Sequence, residues 1–297
     1  MEAVKEVSQV SLVSEEKRSS RISEFWTKWK KQKTAFWAGF FIIILLLVAI
    51  FGPLIAPYDP YEPDYDAILQ TPSKAHWAGT DEYGRDILSR IIVGAGISLS
   101  VSFTSVLVGA VIGTILGLCS GYYGGWLDRL IMRSSDVMFA FPDLLLAIAI
   151  VAILGPGLTN VVVAVAVFSI PSFARLIRGN TLAAKEAVFV EVARSMGARS
   201  SRIIFRHIFP ETVSSMIVFF SLRIGTSILA ASSLSFLGLG AKPESPDWGA
   251  MLSMGRDYLD TAPHVVMIPG LVIFLSVLAF NLIGDGLRDI LDPKTKN

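Results

Sequence analysis

A stretch of 22 residues without a charge, Ala35–Ala56 (AFWAGFFIIILLLVAIFGPLIA), dominates the first quarter of the chain. As a helix it is about 33 Å long, enough to cross a hydrocarbon core of about 30 Å. The 34 residues before it are too many for the charged start of a signal peptide, and the apolar run exceeds a cleavable core. It reads as a retained membrane span.

Composition extends that reading to the whole chain. Of 297 residues, 53% are hydrophobic and 17% charged, where a soluble domain carries about a quarter charged. Five further spans are expected, at about 97–120, 137–155, 160–177, 212–237 and 265–283, the third opening on an awkward Phe-Pro-Asp and the fourth split by Pro171. The expected fold is therefore an all-α membrane bundle of six helices. Residues 35–297 form one domain behind a tail, 1–34. In that tail Ile22, Phe25, Trp26 and Trp29 recur at helical spacing between lysines, which predicts a helix lying on the inner membrane surface.

Basic residues orient the bundle. Eight precede the first span, and the segment 178–210 holds six against two acidic ones. The loop 57–96 holds three against seven, and 240–264 holds only Lys242 and Arg256. Both termini are expected in the cytoplasm. A net charge of +1 points to no nucleic-acid partner.

Several chemistries lack their residues. None of the 24 glycines is followed by Lys, so the GxxxxGK[ST] phosphate loop is absent. The three histidines lie in loops or at span edges, with no HExxH and no cluster of metal ligands. The single cysteine, Cys119, excludes an internal disulfide and reads as a small apolar filler. Neither catalysis nor a cofactor is expected in this chain.

The segment EAVFVEVARSMGARSSRIIFRHIFP (Glu186–Pro210) reads as two short helices bent at Gly197, basic outside, suited to docking into another protein. A plain positive-inside loop is the alternative on charge alone. The whole pattern resembles the EAA loop of bacterial ABC importer permeases, with Pro210 thirteen residues after Gly197 and Val192 in place of the first Ala. Four other segments resemble the dipeptide, oligopeptide and nickel permease group: GTDEYGRDILSR (Gly79–Arg90), SLSFLGLG (Ser233–Gly240), PDWGAML (Pro246–Leu252) and FNLIGDGLRDILDPK (Phe280–Lys294). FSIPSFARLIRGNTL (Phe168–Leu182) looks most like the glutathione-type and dipeptide-type C permeases.

That resemblance implies a type I ABC importer permease in a bacterial inner membrane, carrying short peptides. It further implies a homologous second permease, two ATPase subunits holding ATP and Mg, and an extracytoplasmic solute-binding protein. It places ATPase coupling on Glu191, Ala193, Arg194, Gly197, Arg206 and Pro210, with Glu191 as polar anchor or, alternatively, a helix cap. Nickel chelates are an alternative cargo. An ion-coupled secondary transporter, or a scaffold subunit without a solute path, are alternatives of other classes.

Two features stand outside those motifs. Gly109, Gly113, Gly117 and Gly121 give one helix a face without side chains, for packing inside the bundle or against the partner permease. Arg223 lies deep in the fifth span. It reads either as half of an ion pair, with Asp143 or Asp285, or as a contact for a peptide carboxylate in a pathway that Ser169, Ser172 and Ser227 help to line. The loop 241–262, with Trp248 and Tyr258, reads either as part of the surface receiving the binding protein, together with Gly79–Arg90, or as interfacial aromatic anchoring.

Overall fold

The structure, a computed structural model, describes residue 29 and residues 32–291. The surface helix expected over 22–33 falls almost wholly outside the described residues.

Ten α-helices are described, with no strand among the described residues. They are α1 (Lys33–Ile55), α2 (Ile87–Tyr123), α3 (Gly125–Phe139), α4 (Asp143–Leu154), α5 (Leu158–Lys185), α6 (Val188–Ser195), α7 (Ser200–Ile203), α8 (Phe209–Phe236), α9 (Trp248–Gly255) and α10 (His264–Leu291). A five-residue π turn, Ile204–Ile208, joins α7 to α8. Four apolar segments are long enough to cross a membrane by themselves (α1, α2, α5 and α10), and Ser200–Phe236 makes a fifth. A sixth exists only if α3 and α4, bent by 93° at their junction, count as one.

The expected third span over 137–155 is thus interrupted. Pro142 takes an extended conformation as the N-cap of α4, and a proline disfavours the helical state of the residue before it, here Phe141. Twelve residues of α4 cover only about 18 Å. By contrast Pro171 does not split its helix. It sits buried inside an unbroken α5, because neighbouring helices hold a transmembrane helix together across a missing N–H.

The second helix begins ten residues before the expected span. Asp86 caps it by accepting from the Ser89 amide at 2.7 Å, and Arg90 in the next turn is 1% exposed. Arg90 reads as a loop charge because hydropathy does not reveal that its guanidinium donates to the distant Pro60 and Ser245 carbonyls.

The core is organised around α2 and α5. A Cβ at Gly109 would lie 2.6 Å from Ser169 Cβ, at Gly113 2.6 Å from the Ile170 carbonyl oxygen, at Gly117 2.6 Å from the Ala174 carbonyl oxygen, and at Gly121 2.7 Å from Thr181 Cβ. Steps of four on α2 meet steps of about four on α5, so the two backbones touch over three turns. Small residues permit this approach, and in lipid close packing replaces the hydrophobic effect as the force between helices. The glycine face is therefore used within the chain.

Around this seam sit three apolar clusters. Ile42 and Leu45 of α1, Ile91 and Leu99 of α2, Ile228 of α8 and Ile273 of α10 form the largest. Val151 of α4, Val161 and Phe168 of α5 and Leu234 of α8 form the second. The third joins Leu118 and Ile177 to Val190, Ile203 and Ile208 around α6 and α7. On α1 only small or few residues face inward, while Trp37, Phe40, Ile43, Ile50 and Leu54 are exposed. A helix apolar on all sides with one buried stripe suits a lipid boundary.

Replacing Gly117 by Leu is expected to destabilise the protein by about 1–3 kcal/mol or more through overpacking against the α5 backbone. Gly179→Ala, where nothing lies within 4 Å of the added carbon, is the matched control. Thermal unfolding in detergent measures both, with a lowered Tm expected for Gly117→Leu alone.

Candidate coupling loop and membrane-embedded charges

The loop 186–210 departs from one end of the bundle between α5 and α8. Its helix α6 ends in a Schellman motif: the Ala198 amide donates to the Ala193 carbonyl at 3.1 Å and the Gly197 amide to the Arg194 carbonyl at 3.0 Å. Gly197 has φ +77° with nothing within 4 Å of an added Cβ. Backbone conformation, not space, demands glycine there.

Beyond the turn, Pro210 shapes the re-entry into the membrane. It has no N–H to offer the Arg206 carbonyl four residues back, and the helix widens immediately before it, with the Phe209 amide reaching Ile204 at i−5. Motif spacing thus has a mechanical meaning: a glycine stop and a proline-induced π turn fix where α6 sits relative to α8.

One side of this assembly is anchored. Val190, Ile203, Ile204 and Ile208 are at most 5% exposed and pack on Leu118, Tyr122 and Ile177 of α2 and α5. The other side is open: Val188, Phe189, Val192, Met196 and Phe205 are exposed large apolar residues, Met196 at 83%. Glu191, Arg194 and Arg206 are exposed among them, and Ala193 is half-buried. Glu191 lies in the first turn of α6, whose N-cap is Ala187 without a side-chain cap bond, so it does not act as a cap itself. Pro210 is exposed at the start of α8.

The embedded charge Arg223 lies midway along α8. Its Nη1 stands 3.6 Å from Asp143 Oδ2, its Nη2 donates to Ser169 Oγ at 3.4 Å, and its guanidinium carbon is 5.4 Å from the Phe168 ring centre. Of the two carboxylates considered from the sequence, Asp143 is the neighbour; Asp285 is exposed elsewhere on α10. The serines do not form an open lining within this chain. Ser169 and Ser227 are 1% exposed, with hydroxyls donating to the Val165 and Ser102 carbonyls, and Ser172 is half-buried.

A second charged centre escaped sequence reading. Arg178 of α5 grips Asp128 of α3 with two bonds of 2.6 and 2.7 Å, and Ser120 also donates to that carboxylate. Arg175 and Asp136 repeat the contact two turns along at 2.6 Å. Arginines three apart on α5 and aspartates eight apart on amphipathic α3 were the available signal. Their pairings span 50 and 39 residues of sequence.

At the opposite end of the bundle the segments 79–90 and 246–252 lock together. Asp81 pairs with Arg85 at 2.7 Å and lies 3.4 Å from Arg90, while Arg90 donates to the Pro60 and Ser245 carbonyls at 2.9 and 3.0 Å. Asp247 caps α9 and accepts from Ser98 at 2.8 Å, and the Trp248 indole donates to the Ile91 carbonyl at 3.1 Å. Trp248 is fully buried, so it is neither an interfacial anchor nor a contact for a partner. The charges of 79–90 are likewise turned inward. Glu82 shows the cost of that packing: burial raises its carboxyl above the ordinary range, against the pull of its own backbone amide and the arginines.

The chain and its fold have known counterparts. Residues 109–297 match the family model described as binding-protein-dependent transport system inner membrane component, and residues 20–72 match the N-terminal TM domain of oligopeptide transport permease C. The chain is 58% identical over 275 residues to the glutathione transport system permease protein GsiD of Pectobacterium atrosepticum, covering 92% of this chain and 91% of the relative. It is 58% identical over 274 residues to the protein of that name from Escherichia coli O157:H7, covering 92% and 90%. Among solved structures, the inward-facing MetNI methionine ABC transporter matches with TM-score 0.57 at 19% identity, over 69% of this chain and 97% of that one. An amino acid ABC transporter crystallised with histidines matches with TM-score 0.52 at 17% identity, over 67% and 92%.

A Glu82→Gln variant tests the buried carboxyl in the loop before α2. A raised folded-state pKa means the carboxylate form disfavours the fold, a penalty present above the folded pKa and absent below the unfolded value of about 4.3. The variant is therefore expected to melt higher than the parent at pH 7, with the difference vanishing as pH falls below about 4. Thermal melts across pH 4–8 read this directly.

Proposed function

The chain belongs to the binding-protein-dependent transport system inner membrane components and is a permease subunit of an ABC importer of the oligopeptide C type, and from that premise we propose that it carries short peptides, glutathione among them, inward across a bacterial inner membrane. The relatives named for glutathione transport, at 58% identity over nearly their whole length, support that solute class over nickel chelates. Family membership likewise displaces the ion-coupled and scaffold alternatives.

In this reading the chain supplies half of the pathway, and a homologous permease supplies the other half. Two ATPase subunits bind ATP and Mg on the cytoplasmic side. A solute-binding protein delivers cargo from outside, and both termini lie in the cytoplasm, as the basic bias of 178–210 supports.

The observation that carries the proposal is the shape of 186–210. A helix of eight residues and its C-cap expose Val188, Phe189, Val192 and Met196 to solvent while Val190 anchors the helix beneath. Exposed apolar side chains around Glu191 and Arg194 suit insertion into a groove on a separate protein. Because α6 is held to α2 and α5 on one side and leads through the π turn into α8 on the other, movement of its partner is transmitted as rigid-body displacement of spans. Glu191, Arg194 and Arg206 then make polar contacts at the rim, Ala193 permits close approach, and Gly197 and Pro210 set the angle.

Gly197→Leu places a branched side chain on a residue at φ +77°, a strain of about 1–2 kcal/mol that is relieved by distorting the loop. In the assembled complex, substrate-stimulated ATP hydrolysis is expected to fall at least tenfold while membrane insertion stays at parental levels. Unchanged stimulation refutes the coupling role.

A further inference from the structure

Two Arg–Asp pairs in this chain differ in a way that separates structure from function. Arg178 and Asp128 meet through two parallel bonds of 2.6 and 2.7 Å, the fork geometry of a structural clamp. Arg223 and Asp143 stand 3.6 Å apart, beyond hydrogen-bond distance. The Arg223 Nε is buried with no hydrogen-bond partner among the described residues, and its Nη2 reaches only a long 3.4 Å contact to Ser169. Asp143 is 49% exposed, whereas Arg223 is 13% exposed.

Their position makes the looseness costly. Arg223 lies about 20 Å from either end of α8, and Asp143 lies about 17 Å from the far end of α4, so both sit near mid-bundle. Ionisable groups at such depth are expensive and normally complete their hydrogen bonds. Here the cation keeps unused donors and the anion keeps an open side, at the break where α3 and α4 bend by 93°.

The geometry points to the Arg223–Asp143 pair as a contact site for a zwitterionic solute inside the membrane, the guanidinium taking a carboxylate and Asp143 taking an ammonium. The inference rests on the peptide-importer reading and deepens it by naming the charges recognised. A solute entering the pair exchanges one set of ion pairs for another, so the protein is never left with an isolated charge. Binding is correspondingly weak, which a pathway needs if cargo is to leave again. Phe168 beneath the guanidinium holds the cation in place while its anionic partner changes.

The test uses the purified complex of permeases and ATPases without the solute-binding protein, so selection by that protein does not enter. Thermal unfolding is followed against millimolar glutathione and against N-acetylglutathione, which lacks the ammonium. The parent complex is expected to gain about 1–3 °C with glutathione and less with the acetylated form. Asp143→Asn should respond equally to both, Arg223→Gln to neither, and Arg223→Lys should keep part of the response. A parent complex unmoved by glutathione, or an Asp143→Asn complex that still prefers glutathione, overturns the site. ATP-driven glutathione uptake by the parent in proteoliposomes with the binding protein is scored separately. Its absence would refute the importer reading, and its presence with no solute-dependent melting refutes the site alone.

Discussion

The architecture depends on the backbone contact between α2 and α5. Four glycines at intervals of four let the longest helix of the bundle lie directly on α5, so that carbonyls of Ile170 and Ala174 stand where a side chain would otherwise be. Most of the other helices attach to that pair directly, whereas α10 packs on α8 and α1. The helices α1, α4 and α8 pack on one or both of them, α3 is clamped to α5 by Arg178 and Arg175, and the anchored side of the loop 186–210 rests on Leu118 and Ile177 from the same two helices. Overpacking the seam would shift the floor under the loop as well as the bundle itself.

Charge is handled in three ways along the membrane normal. At one end Asp81, Arg85 and Arg90 form a buried network closed by backbone carbonyls, which ties the start of α2 to the loop before α9. At the other end Arg178 and Asp128 make a tight fork. Between them, the pair at mid-bundle is incomplete. The ends are joined by short ion pairs, 2.7 Å between Asp81 and Arg85 and 2.6 Å between Asp128 and Arg178, whereas the pair at mid-bundle stands 3.6 Å apart with Asp143 half exposed.

Much of this was legible from residues alone, for identifiable reasons. Ala35–Ala56 announces a span because nothing else tolerates 22 uncharged residues, and the period of four in Gly109–Gly121 announces close packing. The partner of that face, α5, could not be read, since a bare helix surface does not say what covers it. The loop 186–210 stands out through its glycine-to-proline spacing, and the structure supplies the physical reason for that spacing in the Schellman turn and the π turn. Hydropathy misplaced the start of α2 because Arg90 and Ser89 look solvated until their long-range partners are known. It also ran 137–155 together across Phe-Pro-Asp, where backbone restriction at Pro142 outweighs apolar character. Arg223 announced itself as a buried charge, and Asp143 was one of two candidates that only three-dimensional contact could separate. The Asp128–Arg178 clamp was beyond reach, because each residue reads as an ordinary charge near a membrane surface.

In the proposed assembly α6 and its glycine stop seat in a separate ATPase. With Cys119 replaced by serine, a Met196→Cys thiol becomes the only one in the chain, at a position 83% exposed. Short bifunctional crosslinkers applied to native inverted vesicles should join it to an ATPase subunit, and a Tyr58→Cys thiol at the opposite end of the bundle should not. A thiol at 196 that never reaches an ATPase, in vesicles from cells that still take up peptides, would contradict docking of α6.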